Sequence, residues 1–161
     1  MFNYEFKHND ADFCHDKTLT LHDCIAEKIE YSDRCLRFCF RDGFWITAMH
    51  DDNKFGKTVK TDTAVVDFQI DSIDDIIIQV FTKNIFKKTE VNLLEMPDLI
   101  RSINCGNCSI EFVCQYRTHF EQMWQCVIRS KKKPYYRECQ LHLPNTEATF
   151  RWNNLQPERE W

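Results

Sequence analysis

The stretch "CLRFCFRDGFWI", residues 35 to 46, decides the reading of the fold. Leu36, Phe38 and Phe40 alternate with Arg37, Cys39 and Arg41. Successive side chains of a strand point to opposite faces, so this is the pattern of a half-buried β-strand. Arg41, Asp42 and Gly43 then read as a hairpin turn into a second strand over Phe44–Met49.

The same period of two extends in both directions. Upstream, Phe2, Tyr4 and Phe6 alternate with polar residues, as do Leu19 and Leu21; Ile25, Ile29 and Tyr31 continue in one phase with Glu27 as the exception. Downstream, Val66, Phe68 and Ile70 alternate, a turn follows at Asp71–Asp75, and Ile76, Ile77, Ile78 and Val80 make a nearly continuous apolar run. A strand apolar on both sides is expected in the centre of its sheet. Further strands are expected at Val91–Leu94, Ile110–Tyr116, Phe120–Ile128, Tyr135–Leu143 and Ala148–Trp152. The expected fold is all-β: an antiparallel sandwich or flattened barrel of about ten strands.

One segment breaks the rhythm. In "EMPDLIRSINCG", residues 95 to 106, Pro97 suits the first helical position and Asp98 complements the positive end of the helix dipole. Leu99, Ile100 and Ile103 cluster at helical spacing, which predicts one short helix over residues 97 to 104.

At 161 residues the chain fits a single domain over residues 1 to 161, long enough to bury a full core without staples. The composition is globular, with 43% hydrophobic and 14% aromatic residues, which excludes disorder. The formal charge of −4 offers no positive field to a phosphate backbone, so nucleic acid is not an expected partner. The one dense basic run, Lys131–Lys133, precedes Pro134 and reads as a solvated turn. No basic N-terminal region leads into an apolar stretch and no segment reaches the ~20 apolar residues of a membrane span, so a soluble cytoplasmic protein is expected. The nine cysteines are an odd number, and they read as reduced, small apolar residues rather than a disulfide framework.

Each candidate for chemistry has a simpler structural reading beside it. In "INCGNCSIEFVC", residues 103 to 114, a helix ending near Asn104 puts Gly106 where the left-handed conformation closes helices. Cys105 and Cys108 then straddle a helix C-terminus, where the dipole opposes thiolate formation. Zinc would need about four converging ligands, yet no second close pair exists, and Cys114 lies roughly 20 Å along a strand from Cys108 at ~3.3 Å per residue. No metal site and no cofactor are therefore expected. In "LHDC", residues 21 to 24, adjacent side chains of a strand diverge, so His22 does not serve Cys24 by adjacency; His22 and Asp23 are expected to hydrogen-bond backbone at a strand end. The carboxylates at Asp51–Asp52 and at Asp71, Asp74 and Asp75 match no calcium loop and read as solvated turns.

Aromatic pairs are the most suggestive surface feature. In Phe44–Trp45 and in Tyr135–Tyr136 one member must face away from the other, which leaves an aromatic on an outer face unless something covers it. Phe44, Trp45, Tyr135, Tyr136, His22 and Asp23 are thus the candidate binding residues.

Residues 21 to 46, "LHDCIAEKIEYSDRCLRFCFRDGFWI", resemble the opening of small bacterial β-rich domains that begin Leu-His-Asp-small, run Ile-x-x-Ile into a strand and reach an Asp-Gly turn. Some of those domains look like immunity proteins of polymorphic toxin systems. The stretch "KKPYYRECQLHL", with the later "FRWNNL", is similar to the tail of a family of proteins from Gram-positive bacteria. The resemblance covers about a third of the chain and implies a bacterial, cytosolic, non-catalytic domain. It transfers no functional residue.

Three functions follow as expectations. The first is non-enzymatic binding of another protein through an aromatic-bearing sheet face or an exposed edge, immunity-like in its most specific form. The second is a small-molecule carrier with an apolar barrel cavity. The third is an enzyme using a Cys or His from among Cys14, His15, His22, Cys24 and His119. Oligomeric state and strand order are not encoded by a period of two.

Overall fold

The structure, a computed structural model, describes residues 1–8, 18–83, 87–118 and 120–161. Cys14, His15 and His119 lie outside the described residues. The fold is an all-β antiparallel sandwich with one short helix, and none of its three sheets closes into a barrel.

A five-stranded sheet runs in the order β1 (Tyr4–His8), β14 (Ala148–Trp152), β8 (Ala64–Gln69), β5 (Cys35–Phe40) and β4 (Lys28–Ser32). A six-stranded sheet runs β10 (Thr89–Leu94), β9 (Ile77–Lys83), β13 (Tyr136–Pro144), β12 (Glu121–Ser130), β11 (Cys108–Arg117) and β3 (Cys24–Ala26). A four-stranded sheet comprises β15 (Leu155–Glu160), β7 (Val59–Thr61), β6 (Trp45–Ile46) and β2 (Leu19–Thr20). The described residues thus hold fifteen strands where the sequence pattern predicts about ten. The pattern missed β7, three residues long, and β15, a mostly polar six-residue strand containing Pro157, and it read β3 and β4 as one run.

The alternation of residues 36–40 is realised across the five-stranded sheet: Ile29, Phe38 and Val66 form one inward row that continues through Phe150 to Phe6. From the opposite sheet Phe112 meets Phe38 edge to face at 5.3 Å and Phe40 at 5.6 Å. Burial of such rings dominates the driving force, at about 25 cal/mol per Å² of apolar surface. One contiguous apolar core draws on all three sheets and on the helix.

Two turns depart from expectation. Gly43 does have a left-handed backbone, with φ 71°, but β5 and β6 do not pair; the chain leaves the five-stranded sheet and enters the four-stranded one. The hairpin lies one strand earlier, where Asp33 and Arg34, with φ 51° and 60°, join β4 to β5. A two-residue turn of that hand matches the twist of the flanking strands. The phase exception at Glu27 also has a cause. β3 pairs with β11 and β4 with β5, so the chain changes sheets there, and Cys24 and Ala26 face the core instead of Ile25.

The apolar run at 76–80 is likewise one-sided: Ile78 and Val80 are buried while Ile77, on the outer face of the six-stranded sheet, is 48% exposed. Helix α1 (Met96–Asn104) starts one residue before the expected position and ends where predicted, with Met96, Leu99 and Ile103 buried. Gly106, φ 68°, closes it by donating to the Ile103 carbonyl at 2.8 Å.

Candidate functional site

The six predicted binding residues fall in three places. His22 and Asp23 form the turn between β2 and β3, held by the Asp23 amide donating to the Phe112 carbonyl at 2.8 Å and by the His22 Nδ1–H donating to the Val113 carbonyl. Asp23 has φ 56° and approaches His22 Nε2 at 3.4 Å. The His22 ring lies flat on Trp161 at 5.1 Å, Trp161 meets Trp45 at 5.5 Å, and Lys60 Nζ sits 5.0 Å from the Trp45 ring centre. Sequence reasoning had no means of placing Trp161 beside Trp45 and His22, since pairing of β15 with β7 brings them together.

Phe44 is fully buried between Phe150 and Trp152, at 5.4 and 5.7 Å, so it is a core residue and Trp45 is the outward member of that pair. Tyr135 and Tyr136 belong to a different region. Tyr136 opens β13 on the outer face of the six-stranded sheet, 6.0 Å from the Arg129 guanidinium, and borders a shallow hollow of about 410 Å³ with Phe81 and Pro134. Tyr135 precedes the strand, and its carbonyl accepts from the Ser130 amide at 2.7 Å.

A cleft of about 480 Å³ opens beside His22 and Trp161, lined also by Leu19, Val113, Trp124 and Gln122. Its polar groups are largely engaged with one another: Gln115 donates to Gln122 at 3.1 Å and Arg117 to Asn145 at 3.0 Å. Next to it, burial pushes the Cys24 thiol up to about 12, and Sγ is 3.5 Å from the His22 carbonyl rather than paired with its ring. A thiol with that value is not ionised at neutral pH, so Cys24 and His22 do not make a nucleophile and base. Cys105 is exposed at the helix C-cap, and Cys108 Sγ lies 3.1 Å from Ser102 Oγ. Among the described residues no three His, Cys, Asp or Glu side chains converge as a metal cradle. None of the three sheets closes into a barrel, and the rings of Phe38, Phe40 and Phe112 pack between the two large sheets; the 480 Å³ cleft opens between Phe68, Ala148 and Phe150 of one and Val113 and Trp124 of the other.

Both large sheets carry ion pairs on their outer faces, Arg129 holding Glu111 at 2.6 and 2.7 Å and Glu121 lying 3.4 Å from His142 on the six-stranded one, but they differ in exposed apolar surface. On the five-stranded sheet, Lys28 pairs with Glu30, Lys7 with Glu147, and Arg37 and Arg151 both reach the nearly buried Asp67, with Arg151 also held by Glu5 at 2.6 Å. On the six-stranded sheet, the outward positions hold Tyr116 beside Met123, and Leu93 and Val91 on β10 opposite Gln79 and Phe81. Exposure there reaches 58% for Tyr116, 48% for Ile77, 55% for Val91, 73% for Leu93 and 69% for Tyr136. These five are among the largest exposed apolar side chains of the described residues, and all five project from one face. Between them Gln79, Gln125 and Gln140 supply neutral hydrogen-bonding groups, Gln140 donating to Gln125 at 3.3 Å.

No protein-family model, curated protein or solved structure matches the chain.

Proposed function

We propose that this protein is a non-enzymatic binding module that engages another protein through the outer face of its six-stranded sheet. The observation that carries the reading is the asymmetry between the two faces. A solvated face is furnished as the five-stranded sheet is, with networked charges. The six-stranded sheet carries the Arg129–Glu111 pair too, but beside it Ile77, Val91, Leu93, Tyr116 and Tyr136 stand exposed among glutamines, a mix of aliphatic anchors, aromatics and polar groups found at interfaces. Each such side chain gains about 25 cal/mol per Å² of apolar surface that a partner covers. The acidic total charge, and Glu111, Glu121 and Glu138 at outward positions, argue for protein rather than nucleic acid.

The reading belongs with a soluble, cytoplasmic setting, in keeping with the finding that no helix of the described residues is long and apolar enough to cross a membrane. Its narrower form is an immunity-like role, motivated by the opening Leu-His-Asp-Cys motif at 21 to 24. In that form the protein makes a tight equimolar complex with a toxin encoded beside it, and failure to bind any neighbouring gene product removes the immunity role without touching the broader reading.

The broader reading is tested in the source cell with a photo-reactive amino acid placed at position 116, and separately at position 28 on the charged face. A discrete adduct with one protein from position 116, absent from position 28, supports it. Equal labelling from both faces, or none from position 116, overturns it.

A further inference from the structure

Two basic stretches far apart in sequence meet at one end of the six-stranded sheet. β9 and β13 are paired from Ile77 opposite His142 to Val80 opposite Cys139, and there their ladder stops, although β9 runs on to Lys83 and β13 begins at Tyr136. The hollow of about 410 Å³ lies at this opening, lined by Lys83 from one side and by Pro134, Tyr136 and Arg137 from the other. Lys87 leads into β10 at the same end, and Lys131–Lys133 follow β12; all five lysines are exposed. Lys131–Lys133, a solvated turn when taken alone, thus stands beside Lys83 and Lys87.

These lysines are furnished differently from others in the chain. Lys7, Lys28 and Lys57 each meet a carboxylate within 3.7 Å. Lys131 reaches over Gly106 at the C-terminal end of α1, where a cation complements the helix dipole. Lys83, Lys87, Lys132 and Lys133 form no ion pair among the described residues. A chain of formal charge −4 that gathers five lysines at one end is left at −9 over the rest. The positive field is therefore local, and the mutual repulsion of the lysines is relieved by an anionic occupant.

We infer, resting on the proposed protein partner, that this end of the sheet receives an acidic segment of that partner, its carboxylates set against Lys83, Lys87, Lys132 and Lys133. The lysines adjoin the apolar face: Phe81 lines the same hollow and lies directly opposite Val91, and Leu93 and Ile77 continue the exposed surface. One occupant then meets charge and aliphatic side chains together, which a protein supplies and a phosphate backbone does not. Glu138 also lines the hollow and the rest of the chain is negative, so a long polyanion or an anionic bilayer would be carried against like charge. A short acidic segment ends where the lysines do.

Fluorescence anisotropy of a labelled oligoglutamate of about ten residues, titrated with the full chain, supplies the test. Half-saturation is expected below about 500 µM at about 20 mM salt, and at least tenfold weaker at about 300 mM. The Lys83→Glu, Lys132→Glu, Lys133→Glu variant should weaken binding at least tenfold and should lose most of the adduct read from position 116 in the source cell. The Lys7→Glu, Lys28→Glu, Lys57→Glu variant has the same net charge and should weaken binding less than about threefold. Far-ultraviolet circular dichroism establishes that each variant is folded. Oligoglutamate that does not bind, or that both variants weaken equally, overturns the inference, as does an adduct from position 116 undiminished by the first variant. Tighter binding of oligothymidylate of equal length, or of phosphatidylserine vesicles, overturns it in favour of nucleic acid or a membrane. Oligoglutamate held by these lysines with no adduct from position 116 in the unaltered protein would remove the sheet-face partner and leave the acidic-ligand site standing.

Discussion

Asp67 shows how one residue can be both out of place and well held. Its side chain is nearly buried on the outer side of the five-stranded sheet, where burial alone would raise its pKa; hydrogen bonds and charge from Arg37, and then from Arg151, outweigh that and hold the carboxyl below its usual range. A depressed value favours the folded state while the group is ionised. The stabilisation is therefore complete above the unfolded value of about 3.9 and is lost as pH falls through the lower folded value. Unfolding temperature should stay level from pH 7 to about 5 and fall below about 4. Asp67→Asn should cost about 2 kcal/mol at pH 7, less than for a fully buried pair because both arginines are partly hydrated. The gap between variant and original should close in acid, and thermal melts at several pH values check it. A gap that persists unchanged at pH 2 would mean that packing rather than charge is responsible. Gly43 is constrained differently. A Cβ there would come within 2.3 Å of the Thr61 and Asp62 carbonyls, and φ is 71°, so Gly43→Ala should destabilise by about 3 kcal/mol in chemical denaturation.

At the scale of elements, the alternation made individual strands legible and their partners illegible. Ala148–Trp152 has its predicted bounds, and residues 36–40 place Leu36, Phe38 and Phe40 in the core as expected, because the side-chain period follows from the pleat alone. The Asp42–Gly43 pair marked a turn correctly, but a turn signature does not state whether the following strand folds back or crosses to another sheet. Asp33–Arg34 made the real hairpin without glycine, and so gave no signal. The exposed apolar face was hidden for a related reason: Ile77, Val91 and Leu93 sit in strands whose inner neighbours are also apolar or polar by turns, and only the register of β9 and β10 puts them on one side. The helix was the best-read element, and its most consequential residue was its last. Asn104 substitutes its side-chain amide for a neighbouring strand at Ile29. Asn104→Ala leaves that amide and carbonyl to find water at a partly buried edge, and should cost about 1–3 kcal/mol. Hydrogen exchange should show a faster Ile29 amide, whereas an unchanged rate would mean that something else covers the edge.

For the whole molecule, core and outer face hold the same residue types at opposite exposures, so stability and the proposed binding can be tested apart. Phe112 touches Phe38 and Phe40 across the sandwich and Trp124 within its own sheet, so Phe112→Ala removes a ring that both large sheets share and should cost about 3–5 kcal/mol. Tyr116 and Leu93 are as apolar, yet most of each side chain already faces water in the isolated chain. Converting Ile77, Leu93 and Tyr116 together to threonine, a residue that suits exposed strands, should change unfolding free energy by less than about 1 kcal/mol. The same triple variant should lose the partner adduct read from a photo-reactive group placed at position 123 on the same face. A protein selected only to stay folded would have no reason to keep these three residues apolar, because surface polarity at no stability cost also lowers the risk of aggregation. Retained stability with lost binding would locate function on the outer face. Lost stability would instead make the face a structural layer, with a further part of the fold resting on it.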